Sequence, residues 1–151
     1  MLLHIIKLTD FINYIEEIKK MRKSNYSIDK IVNLSHEETV EKVTEELKKE
    51  GFGVLSDLNF TEILKNKLDV DFKPYRVLAA CNPPSAYKAL QAEEQIGLFL
   101  PCNVIIYVND NNETVVAAID PVANMSEIDN PPVQEVATLI HRKLKNVIES
   151  I

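Results

Sequence analysis

The stretch from Cys102 to Ile119 limits the possible folds of this chain more than any other. Cys102-Asn103-Val104-Ile105-Ile106-Tyr107-Val108 and Thr114-Val115-Val116-Ala117-Ala118-Ile119 are two apolar, β-branched runs separated by Asn109-Asp110-Asn111-Asn112-Glu113. β-Branched residues fit a pleated surface, and Asn and Asp favour turn conformations, so the segment reads as a β-hairpin. At least this part of the sheet is therefore antiparallel.

The elements upstream are short and clearly punctuated. Ile28 to Leu34 reads as a strand that runs into Ser35-His36-Glu37-Glu38, where Ser35 and Glu38 have the spacing of a capping box. The helix that follows points Val40, Val43 and Leu47 inward and stops at Gly51, where a left-handed residue is easiest. Gly53 to Ser56 is expected to be a second strand, followed by a small helix from Asn59 with Phe60, Ile63, Leu64 and Leu68 inward. Pro74 to Cys81 reads as a third strand, with Tyr75, Val77, Ala79 and Cys81 on one face. Asn82 then caps a helix whose first positions are Pro83 and Pro84, residues that lose little there by lacking an N–H, and which should end near Gly97. Asn130-Pro131 opens a last helix with Val133, Val136, Ile140, Leu144, Val147 and Ile151 on one stripe, expected to lie across the sheet.

Ahead of all this, residues 2–23 place Ile5, Leu8, Phe11, Ile12, Ile15 and Ile18 at helical spacing and end on Lys19, Lys20, Arg22 and Lys23. Those cations suit a helix C-terminus, and one apolar stripe is expected to pack on a core or a partner. A helix lying on a membrane surface is the alternative. The whole order is helix, then β-α-β-(α)-β-α-β-β-α: an α+β fold with helices on one face of a mostly antiparallel sheet. We expect an extension over residues 1–25 and a single domain over 26–151.

Composition narrows the function. The chain has 151 residues, 46% of them apolar and 26% charged, with a net charge of −6. That is an ordinary globular composition, and an acidic one, which argues against a nucleic-acid partner. No run approaches the roughly 18 to 20 apolar residues of a membrane-spanning helix, and no signal peptide is evident, so a cytoplasmic location with two reduced thiols is expected.

Three stretches carry a family resemblance. Glu50-Gly51-Phe52-Gly53-Val54-Leu55, Arg76 through Pro84, and Gly97-Leu98-Phe99-Leu100-Pro101-Cys102-Asn103-Val104 recur in the order seen in the family called domain of unknown function 302, and Asp120-Pro121 fits it too. The resemblance covers about Ser27 to Ile151. It implies a fold like that of the TATA-binding protein, β-α-β(4)-α, and no activity; DNA binding does not follow from the fold.

Few residues here announce chemistry. Cys81 ends a strand before a helix N-terminus and Cys102 begins the next strand, which is expected to bring both to the same end of the sheet. A helix N-terminus favours a thiolate and burial disfavours it; the apolar run Val77–Ala80 leads us to expect that burial prevails and Cys81 reacts slowly. His4, His36 and His141 lack metal-ligand spacing, and His36 and His141 are expected on solvated helix faces, so neither a metal nor a cofactor is expected. The three glycines form no nucleotide-binding loop. Arg76 and Tyr107 could project from strands into a small-molecule site. The leading expectation is a homodimeric domain that binds a small ligand or partner near Arg76, Cys81, Asn82, Cys102 and Asn103. The rivals are a thiol enzyme or redox sensor, with Cys102 resolving Cys81, and a structural homo-oligomer built through the N-terminal helix; whether the protein is an enzyme at all is left open.

Overall fold

A computed structural model describes residues 8–21 and 24–151. In chain order the elements are α1 (Leu8–Met21), β1 (Ser27–Val32), α2 (His36–Lys49), β2 (Gly53–Asn59), α3 (Phe60–Leu68), β3 (Tyr75–Cys81), α4 (Pro83–Ala92), a 3₁₀ turn (Glu94–Phe99), β4 (Cys102–Val108), β5 (Thr114–Ile119), α5 (Pro121–Asn124) and α6 (Pro131–Glu149). The five strands form one sheet in the order β1-β5-β4-β3-β2, with every neighbouring pair antiparallel. The hairpin sits at its centre. Its turn is fixed by the Asn109 side chain, which accepts the N–H groups of Asn111 and Glu113, and by Asn112 in the left-handed region at φ 59°. Asparagine tolerates that region better than most residues.

The helix boundaries follow side-chain chemistry. Ser35 accepts the Glu38 N–H while the Glu38 carboxylate accepts the Ser35 N–H, which completes the capping box and holds the Glu38 carboxyl below its ordinary pKa. Gly51, at φ 83°, provides the left-handed stop after α2, and a side chain there would also crowd the Asn82 amide. Asn82 and Asn130 cap α4 and α6, each followed by two prolines.

α2 and α6 lie on the same face of the sheet. Val40, Val43 and Leu47 from α2, with Ile140, Leu144, Val147 and Ile148 from α6, close over Leu78, Ala80, Cys102, Val104, Ile106, Val116 and Ala118. Full burial of a Leu or Ile side chain is worth roughly 1.5–3 kcal/mol, so this layer supplies most of the domain's cohesion. α4 packs on α6, and a second cluster of Ala89, Ile96, Met125, Val133 and Ala137 fills the angle between them.

Several details depart from the sequence expectations. β2 runs on to Asn59, with a bulge between Val54 and Ser56, because pairing with β3 sustains it beyond its own apolar run. The expected inward residues of α3 are not buried; Leu68 stays 65% exposed, since this helix packs only at the end of β2 and β3. α4 stops at Ala92 and gives way to the 3₁₀ turn, where Ile96 is drawn into the second cluster. α5 was not expected from its short sequence; Asp120 caps it by accepting the Val122 and Ala123 N–H groups. His36 is not on a solvated face. Its Nε2 lies 3.1 Å from the Ile106 carbonyl oxygen and its Nδ1 3.1 Å from Glu37. His141 is partly covered and sits 2.9 Å from the Asp120 carboxylate.

The described side chains of α1 meet no core. Leu8, Phe11, Ile12 and Tyr14 are all exposed, Leu8 at 73%. The expected helical residues Leu2 to Lys7, including His4 and Ile5, and Arg22 and Lys23 lie outside the described residues. No helix among the described residues is long and apolar enough to cross a membrane.

Candidate functional site

Two places on this framework could bind something. The first lies where β3 and β4 meet α4 and α6. Register pairs Ala80 with Cys102, so Cys81 falls one residue beyond its neighbour, at the same end of two inner strands. Cys81, Asn82, Ser85 and Cys102 line a cavity of about 30 Å³, together with apolar side chains such as Phe52, Leu100, Met125 and Ile140. Asn82 is fully engaged there: Oδ1 accepts the Ser85 N–H, and Nδ2 donates to the carbonyls of Gly51 at 3.2 Å and Glu50 at 3.4 Å. It ties the end of α2 to the start of α4.

Both cysteines are free thiols. Cys102 belongs to the helix-covered core, where burial, reinforced by the nearby Cys81 charge, pushes its pKa up to about 11. The start of α4 offers little to an anion, because Pro83 and Pro84 have no N–H and the Ser85 N–H is already taken by Asn82. Cys81 lies one residue past the last paired position of β3 with β4, at the edge of the cavity that Cys102 also borders.

The other predicted residues lie elsewhere. Asn103 is exposed opposite Ala79. Arg76 is five residues along β3 from Cys81, roughly 17 Å away at strand spacing. Its guanidinium grips Asp57 through two bonds of 2.7 and 2.5 Å, with Glu37 at 3.7 Å. The Arg76 pair holds the Asp57 carboxyl below its usual pKa, mainly through those hydrogen bonds. Cys81, Asn82 and Cys102 thus come together at the cavity, Arg76 stands apart, and Asn103 adjoins Cys102 without lining the cavity.

The second place is the sheet face that α2 and α6 leave uncovered. Register gathers Asp29 and Ile31 from β1, Val115 and Ala117 from β5, Asn103, Ile105 and Tyr107 from β4, Tyr75, Val77 and Ala79 from β3, and Leu58 from β2. Tyr75 and Tyr107 stack with centroids 5.6 Å apart, Phe60 and Phe72 pack against Tyr75, and Lys73 sits over the Tyr107 ring. Burial raises the pKa of both tyrosines, and a nearby Tyr26 adds to it. Ile31, Leu58 and Tyr26 are exposed, Ile31 at 57%. The sequence does place Tyr75, Val77, Ala79 and Cys81 on one face; that this is the face without helices depends on where α2 and α6 pack, which no local signal reports.

A single antiparallel sheet clad by helices on one side and apolar on the other defines an α+β domain built around a half-covered sheet. The chain belongs to the family described as domain of unknown function DUF302, whose model matches residues 28–151. Among solved structures it is similar to the crystal structure of an uncharacterized conserved protein DUF302 from Bacillus stearothermophilus, with 30% identity and a TM-score of 0.78 over 84% of this chain and 98% of that one. No curated protein matches the chain.

Proposed function

We propose that this chain is a partner-binding domain that works as a homodimer, with the uncovered sheet face as the surface on which a second copy docks. The observation that carries the reading is the composition of that face: Ile31, Leu58, Val77, Ile105, Tyr75 and Tyr107 form an apolar, aromatic surface interrupted by few charges. Monomers rarely leave such patches open. Five strands about 4.8 Å apart and six or seven residues long give a face of roughly 450 Å² in flat projection, before side-chain relief is added. That is of the order needed for the roughly 800 Å² per partner of a standard interface.

A small ligand at Cys81, Asn82 and Cys102 has less support. The cavity there, at about 30 Å³, has room for little more than a water molecule. Arg76 stands too far off to complete it, and Asn103, although next to Cys102, alternates to the other face of the sheet. The thiol reading is weakened by the burial and raised pKa of Cys102, which keep it protonated at neutral pH. The order β-α-β(4)-α, with α3, α4 and α5 as insertions, supports the expected likeness to the TATA-binding-protein fold, while a net charge of −6 favours a protein partner over DNA. Sedimentation equilibrium of the full chain at micromolar concentration tests the proposal: a dimer mass is expected, and a monomer mass overturns it.

A further inference from the structure

We propose that the N-terminal helix α1 of one copy lies across the uncovered sheet face of the other, reciprocally, so that each extension is the cover for its partner's sheet. The inference rests on the homodimer reading and names the element that makes the contact. Among the described residues, two apolar surfaces stay at least partly open. One is the sheet face, where Ile31 and Leu58 are exposed and Val77 and Tyr107 half-buried around the buried Ala79, Val115 and Ala117; the other is the exposed stripe of Leu8, Phe11 and Ile12 on α1, whose described residues make no extensive contact with another element. A sheet face is ordinarily closed by a helix layer, as α2 and α6 close the opposite side here.

The two surfaces also match in size and charge. At 1.5 Å per residue, the 14 residues of α1 make a rod of about 21 Å, and a seven-residue strand such as β3 or β4 runs about 24 Å. Residues 1–23 contain five basic and three acidic side chains against a whole-chain charge of −6, so the extension carries +2 and the rest −8. Opposite charges favour the extension docking on the body of a second copy over two bodies, or two extensions, meeting each other. The extension is moreover an addition to the domain: the family match starts at residue 28, and 84% of this chain spans 98% of the similar Bacillus stearothermophilus protein. Neither core cluster contains a described residue of α1, so the core of the domain is complete without this helix.

The test uses two chains, both carrying Cys81→Ser: one with Ile12→Cys and the other with Val77→Cys, mixed, allowed to exchange and gently oxidised. The expected product is a disulfide-linked heterodimer of the two chains on a non-reducing gel. Linkage of Ile12→Cys chains only to each other would show helix pairing with helix, linkage of Val77→Cys chains only to each other would show sheet on sheet, and either overturns the inference. A chain beginning at residue 24 supplies an independent measurement, in which the dimer dissociation constant is expected to rise at least tenfold over that of the full chain. If the shortened chain dimerises as tightly as the full chain, α1 is not the cover, although the homodimer reading stands. If the full chain is monomeric, that reading fails as well.

Discussion

The two faces of the sheet are woven from the same strands yet do opposite work. Leu78, Val104, Ile106 and Val116 are fully enclosed beneath α2 and α6, while on the other side Val77, Ile105 and Tyr107 are only half-buried and Ile31 is exposed, although Ala79, Val115 and Ala117 between them are buried. Residues one position apart in a strand have similar composition and very different surroundings. Strand propensity, shared by both sides, does not set their burial; the helix layer does.

The sharpest way to break this contrast is to shorten neighbouring side chains on the two sides. Leu78→Ala is expected to cost about 2–5 kcal/mol in urea unfolding, as a cavity in a closed core does. Val77→Ala should cost about 1 kcal/mol or less when measured where the protein is monomeric. Equal losses would show that the uncovered face is as tightly packed as the covered one.

The thiol on the covered side gives a test by pH. The folded pKa of Cys102, about 11, lies above its ordinary value of 9.0, so the folded state holds its proton where the unfolded state releases it. That stability is fully present below pH 9 and is lost as pH rises toward 11, by up to about 2–3 kcal/mol. Relative to a Cys102→Ala variant, the wild type is expected to lose that advantage over the same interval, followed as the urea midpoint. A constant difference between the two would place the thiol in contact with water.

A charge on the uncovered side should act on association and leave folding largely intact. Val77→Glu is expected to weaken the dimer at least tenfold, about 1.4 kcal/mol, in sedimentation, with the circular dichroism of the folded monomer retained. Loss of the fold instead would mean that Val77 belongs to the core. The smallest effect is expected at the end of β3, next to the cavity, where Asn82→Ala removes the α4 cap and the ties to Glu50 and Gly51. A destabilisation of about 1 kcal/mol is anticipated by thermal or urea unfolding, with dimer affinity unchanged.

Much of the architecture was legible residue by residue because the signals are local. The Ser35–Glu38 box, the left-handed Gly51, the Asn82 and Asn130 caps with their prolines, and the Asn-rich hairpin turn each need only a few neighbouring residues to be satisfied. The stripe of α6 was read nearly in full, although Ala137 and Ile148 also reach the core because α4, α5 and β1 crowd that helix from several sides. The apolar residues of α3 misled for the opposite reason. Their spacing is helical, but nothing large lies opposite them. The candidate site was legible only in part: a strand end and a helix start put Cys81, Asn82 and Cys102 together, while Ser85 entered the cavity lining through the packing of α4 on α6.

By itself the sequence determined the five strands, the longer helices with the Ser35, Asn82 and Asn130 caps, and the alternation that sorts Tyr75, Val77, Ala79 and Cys81 from Leu78 and Ala80, because these depend on backbone preferences and a two-residue period within single segments. The tertiary structure alone decided the strand order β1-β5-β4-β3-β2, the partners of His36 and Arg76, and which side of the sheet received the helices. Those outcomes depend on contacts between residues far apart in the chain, where many arrangements satisfy the same local rules and only the sum of buried apolar area and paired polar groups selects one.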